Sequence, residues 1–141
     1  MTEDIHTDLG HWKYNGQIPI GKYGFIYCIE NTISGKKYIG KKQMLRTLKR
    51  KPLKGKKNKR HVIKETDWKE YTSSCNELNE DITKFGKDKF KFDIIQLCDS
   101  KWELAYFEAE LQFAHNVLLD ESYYNGIINL RIGKRPLKHD K

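Results

Sequence analysis

The run Gly24-Phe25-Ile26-Tyr27-Cys28-Ile29-Glu30-Asn31-Thr32-Ile33-Ser34-Gly35-Lys36-Lys37-Tyr38-Ile39-Gly40 constrains this chain more than any other stretch. Its first part is aromatic and β-branched, its middle is Asn, Thr, Ser and Gly, and an apolar strand follows. That order is the signature of a β-hairpin. The position numbers of Tyr27 and Tyr38 sum to an odd number, so the two can lie directly opposite in an antiparallel pair. Partners that lie opposite share a face. One face of a sheet is therefore expected to present two phenols side by side, although an ordinary hairpin with two structural tyrosines has the same pattern.

Further elements follow along the chain. Residues 43–50 are expected to form a short helical piece, and 51–60 an exposed Lys-rich loop containing Pro52 and Gly55. Ser74 with Glu77 three residues on fits a capping box for a helix at about 75–85. Leu78, Ile82 and Phe85 would form its apolar stripe, and Gly86 would stop it. Phe90, Phe92 and Ile94 alternate with Lys91 and Asp93, a half-buried strand. A second box, Ser100 to Glu103, opens a helix expected to reach about 118 with Leu104, Phe107, Leu111 and Leu118 inward. The expected fold class is α+β, a small three-stranded antiparallel sheet flanked by helices. The expected organisation is a polar lead-in (1–21), one domain (22–130) and a basic tail (131–141).

The net charge of +8 hides an asymmetry. Residues 36–60 hold 13 Lys/Arg and no acid, leaving 14 basic against 19 acidic residues elsewhere. Such a block can be a merely solvated segment. Here it begins inside the second strand of the hairpin, and the partner its field would attract is a polyanion, most simply nucleic acid. A membrane surface would select an amphipathic helix, which Pro52 and Gly55 interrupt. No apolar run approaches a membrane span, and no signal-peptide core follows the N-terminus. Cys28, Cys75 and Cys98 lack metal-ligand spacing and read as free thiols of a reducing compartment, the cytoplasm.

Glu108 stands four residues after Leu104 and three before Leu111, on the apolar face of the second helix. A carboxylate there is costly unless it is paired or bound to a metal. Both readings, salt-bridge partner and metal ligand, fit the spacing. Glu110 falls on another face with Glu103 and Tyr106.

Phe25-Ile26-Tyr27 with Tyr38-Ile39-Gly40, Leu104-Ala105-Tyr106-Phe107-Glu108 and the late Tyr124-Asn125 occur in the order found in GIY-YIG nucleases, with Phe in place of the first Gly. The chain resembles that family over roughly residues 22–130. The pattern Trp68-x-x-Tyr71-x-x-Ser74 resembles stand-alone bacteriophage members, some of them homing endonucleases. The resemblance implies a DNA endonuclease using Mg²⁺ or Mn²⁺, acting in the cytoplasm of a bacterial host if phage-encoded. It implies Tyr27 as general base or its relay, Tyr38 as the group that orients water, Glu108 as metal ligand and Asn125 as a structural or phosphate-orienting group. The family's helical Arg after YIG has no aligned counterpart. Arg50 and Arg46, four residues apart and so on one helix face, are the alternatives, and Tyr71 could supply the missing phenol or imidazole role. A phenol ionises near 10, so it serves as base only where cations or a neighbouring phenol lower that value, and the Lys41-Lys42 pair just past Gly40 could help. Lys41, Lys42, Lys49, Lys57, Lys59 and Arg60 are expected to meet DNA, mainly at phosphates. The rival reading is a non-catalytic nucleic-acid-binding module that keeps the fold.

Overall fold

The computed structural model describes residues 4–137. The expected hairpin forms from β1 (Gly24–Asn31) and β2 (Lys37–Gln43), and β1 also pairs antiparallel with β5 (Phe90–Cys98) to give the sheet order β2-β1-β5. The turn is locked by Asn31, whose Oδ1 accepts from the backbone of Ile33 and Ser34. Two helices follow the expected order, α1 (Asn76–Phe85) and α2 (Lys101–Ala114). The class is α+β, as the strand and helix order predicts.

Strand alternation sorts β1 between two cores. Phe25, Tyr27 and Ile29 pack with Trp12, Trp68, Leu78, Phe92 and Ile94 on one face of the sheet. Ile26 and Ile39 pack with Leu104 and Val117 beneath α2 on the other. A bulge in β5 skips Ile95, so that Tyr27 faces Ile94 while Ile26 faces Gln96. The segment before β1 belongs to the first core: Trp12 is buried, its Nε1 donates to the Trp68 carbonyl at 2.5 Å, and Lys13 bonds to β5 on both sides.

Three expectations fail locally. Residues 43–50 are not helical. Leu45–Arg50 is strand β3, paired antiparallel with Arg60–Glu65, strand β4. An i, i+4 spacing also places two residues on one face of a strand, so the Arg46/Arg50 pair carried no helix information. The loop is correspondingly shorter, and Arg60 belongs to β4. Ser74 does not cap α1; Cys75 is the N-cap and makes no side-chain cap bond. The second helix ends at Ala114, after which Asn116 takes a left-handed φ of 55°; Leu118 is exposed and Val117 takes the buried place. The Ser100 cap does form, accepting from the Glu103 backbone N–H at 3.1 Å. The tail docks on this helix through Trp102 Nε1 to the Gly133 carbonyl and Arg135 to Glu103, and residues 138–141 lie outside the described residues.

His11 links the first core to the site described below. Its ring stacks on Phe92 at 4.0 Å and its Nε2 donates to the Tyr71 carbonyl at 2.9 Å. Burial, helped by Lys87, pushes its imidazole from 6.5 down to about 4. The unfolded chain takes up this proton as pH falls through 6.5, whereas the folded chain resists until about 4, so stability is lost across that window. The melting temperature should therefore fall from pH 6.5 to 4, and His11→Phe should flatten the fall. An identical profile in the variant would clear His11 of any part in it.

Candidate active site

The outer edge of β2 organises the site. An edge strand exposes alternate backbone N–H and C=O groups that need partners. Here the outward residues of β2 are met by α2 and by the segment that follows it. Lys37 bonds to the Ser122 carbonyl and the Tyr124 N–H. The Ile39 N–H donates to Asn125 Oδ1 at 3.1 Å, and its carbonyl accepts from Asn125 Nδ2 at 2.8 Å and Gln112 Nε2 at 2.9 Å. Glu108 accepts from the Lys41 backbone N–H and pairs with Lys41 Nζ at 3.7 Å. Asn125 thus acts as one more strand residue, holding the YIG segment in place through both ends of its amide.

Tyr27 and Tyr38 lie on one face but are not directly opposite. Tyr27 pairs with Gly40 and Tyr38 with Ile29, so the two phenols are diagonal neighbours with ring centroids 6.2 Å apart. A same-face pair two positions out of register has the same parity as a directly opposed one; only the turn fixes which occurs. The diagonal has a consequence. A Cβ on Gly40 would lie 2.6 Å from the Tyr27 hydroxyl and 2.8 Å from the Tyr38 ring. Because Gly40 has none, the Tyr27 ring leans across β2, towards the edge where Glu108 sits. Overpacking of this kind typically costs ~1–3 kcal/mol, so Gly40→Ala should lower the melting temperature and displace the phenol. An unchanged melt would show that the rings yield freely.

Tyr71 completes the cluster from the segment before α1. Its ring lies 6.2 Å from Tyr27 and nearly perpendicular to it. Lys42 Nζ stands 4.1 Å over the Tyr71 ring and 2.7 Å from Asp67. Ser74, which does not cap the helix, hydrogen-bonds to Tyr38 instead.

The expectation that Lys41 and Lys42 lower a phenol's pKa is not met. Tyr27 is 1% exposed, and burial above all, with Tyr38, Tyr71 and Glu108 beside it, raises it well above 10. Burial, then Cys75 and Glu108, push Tyr38 up to about 12. Lys41 turns to Glu108, and Lys42 is held by Asp67 over Tyr71. Desolvation outweighs the cations because the phenols sit on the packed face of the sheet.

Glu108 is 19% exposed in its side chain, and burial raises its pKa despite Lys41. A half-buried carboxylate whose one cation does not fully compensate it suits a further positive ion. It borders a cavity of 240 Å³ lined among others by Tyr23, Lys41, Gln43, Leu104 and Arg131. No group of three or more His, Cys, Asp or Glu side chains forms a metal cage among the described residues. The donor set therefore fits a hard ion that keeps most of its water, as Mg²⁺ does.

The remaining expected residues are dispersed. Arg46 and Arg50 are exposed on β3, away from any helix; Arg46 is close enough to help hold Asp67 ionised. Lys49 lies on β3, Lys57 and Lys59 in the loop between β3 and β4, and Arg60 on β4. Gln112, Asp67 and Ser74 are contributors that the sequence reading missed. Gln112 could have been found, since it follows Glu108 by one helical turn and is polar on the same inward face. Asp67 and Ser74 gave no periodic signal.

No curated protein and no solved structure matches the chain. Residues 10–128 match the family model described as "Putative endonuclease segE, GIY-YIG domain". That span contains β1, β2, the phenol cluster, Glu108 and Asn125, and with it the chain belongs to the GIY-YIG endonuclease family.

Proposed function

We propose that the protein is a metal-dependent DNA endonuclease of the homing type. One observation carries this reading: Tyr27, Tyr38 and Tyr71 cluster on one face of the sheet, and the half-buried carboxylate of Glu108 stands at the adjoining outer edge of β2, against Lys41. Phosphodiester hydrolysis needs a water stripped of a proton, in-line attack on phosphorus and compensation of charge on phosphate and leaving oxygen. Tyr38, partly exposed, meets the water, and Tyr27 behind it, a neutral phenol, relays the proton: as it accepts the water's proton it passes its own hydroxyl proton on towards the leaving 3′ oxygen. As the water oxygen bonds to phosphorus, the bond to the 3′ oxygen breaks, and that oxygen takes a proton. Glu108 holds Mg²⁺ or Mn²⁺, which when bound supplies positive charge at the phosphate.

The cation that joins the phenols is Lys42 rather than either arginine. It is the cation that clamps the scissile phosphate, with Asp67 orienting it. Among the described residues no helix is long and apolar enough to cross a membrane, and the three cysteines are free. Both agree with work on DNA in the cytoplasm.

That no arginine among the described residues packs against the phenols favours the second reading, a binding module without cleavage. Incubation with supercoiled plasmid separates the two. The nuclease nicks or linearises plasmid with Mg²⁺ or Mn²⁺ and not with EDTA; the module shifts the plasmid's mobility and leaves it supercoiled under both conditions.

A further inference from the structure

The β3–β4 hairpin replaces an expected helix and loop, and its geometry says more than its charge. The ribbon stands on a fixed base: Met44 is buried, its carbonyl accepts from the Thr66 N–H at 2.9 Å, and Thr66 Oγ1 donates to the Gln43 carbonyl. Beyond that base, register puts Arg46 directly opposite Lys64 and Arg50 directly opposite Arg60, all four exposed on one face. Leu48 and Val62 pair between them. Like charges directly opposite destabilise a strand pair. Two such rungs on one face are therefore a cost that a bound polyanion would offset. Between Leu45 and Lys64 there is no acidic residue.

Shape selects among polyanions. The two rungs are four residues apart, ~13 Å along the strand. The major groove of duplex DNA, about 12 Å wide, admits a helix or a two-stranded ribbon. Neither helix suits it, since α1 carries Glu77, Glu80 and Asp81 and α2 carries Glu103, Glu108 and Glu110. The ribbon is the one described element with both the shape and the sign of charge.

We propose that the β3–β4 ribbon enters the major groove and reads guanine edges through Arg46, Arg50 and Arg60, while the lysines of the connecting loop hold phosphates. The inference rests on the nuclease reading for its ligand, duplex DNA. It divides the basic block into two chemistries. Arg pairs bidentately with guanine O6 and N7, whereas loop lysines make contacts that carry no sequence information.

The test is binding of the full-length protein to a random-sequence duplex pool whose guanines are sparsely methylated at N7, in EDTA. The wild type should exclude N7-methylguanine at defined positions, by roughly 5- to 100-fold per position. The arginine variant Arg46→Gln/Arg50→Gln/Arg60→Gln should lose that exclusion, with a melting temperature unchanged or raised because opposed charges are relieved. The triple variant Lys54→Gln/Lys56→Gln/Lys57→Gln should keep the exclusion, bind all sequences more weakly and lower the log–log salt slope by ~0.9 per phosphate contact removed. No exclusion in the wild type, or the same exclusion in the arginine variant, overturns the proposal. The nuclease reading has its own readout, plasmid cleavage. Cleavage without N7 exclusion sinks the ribbon alone; N7 exclusion without cleavage sinks the nuclease reading alone.

Discussion

Glu108→Ala protein binds duplex DNA and does not cut it. Of all single changes this is expected to have the largest effect, because Glu108 is the half-buried carboxylate at the outer edge of β2, held there against Lys41. Two consequences for stability nearly cancel. Alanine leaves the Lys41 backbone N–H without its acceptor, which typically costs ~0.5–1.5 kcal/mol. It also removes a carboxylate that burial disfavours, as the upward pKa shift shows. The melting temperature should therefore move little. Glu108→Gln refines the test: it keeps an acceptor for Lys41 and removes the charge. Cleavage should be lost in both variants and kept in Glu110→Ala, whose side chain is exposed on another face of α2. Cleavage in a rapid-quench assay at wild-type rate by Glu108→Gln would exclude the carboxylate charge from the reaction.

The second large effect is on Tyr27. Its ring fills the first core against Trp12 at 5.0 Å and lies over Gly40. Tyr27→Phe keeps that packing and deletes the hydroxyl, so the fold should persist while the single-turnover rate falls by ~10²–10⁴, the usual contribution of general acid–base groups. A loss under about threefold would make Tyr27 a packing residue only. The raised pKa also fixes the direction of a pH effect on folding. A phenol whose folded pKa exceeds its unfolded value of 10.0 favours the folded state most while neutral. Stability should hold to about pH 10 and decline above it. The decline should be smaller in Tyr27→Phe.

How much of this could be read from the chain depends on the range of the interactions. Several local signals held: the Asn31–Gly35 turn, the Ser100 cap and the alternation of Phe90, Phe92 and Ile94 all describe what forms, whereas the Ser74 box caps no helix and α2 stops at Ala114. The same parity argument placed both phenols on one face, because parity survives a two-residue change of register. The largest failure was non-local. Strand β3 acquires its identity from β4 some ten residues beyond its end, and its own sequence, Leu45-Arg46-Thr47-Leu48-Lys49-Arg50, suits either conformation. The lysines adjoining the YIG segment illustrate the other limit. Their closeness in sequence suggested that they would ease ionisation of the phenols, but alternation sends Lys41 to the α2 side and Lys42 to Asp67, while burial sets the phenols' pKa. Convergence of Tyr71 with Tyr27, and of Glu108, Gln112 and Asn125 on one strand edge, needed the fold itself.

The central claim is that the phenols on one face of the sheet and Glu108 at its edge form a single catalytic centre. A double-mutant cycle on the single-turnover cleavage rate tests it most directly, using wild type, Tyr27→Phe, Glu108→Gln and the double variant on one labelled duplex with Mg²⁺. Groups that act as a unit are strongly non-additive. The double variant should be no slower than the slower single variant. Losses that multiply, as expected of independent sites, would show that Tyr27 and Glu108 do not serve the same reaction.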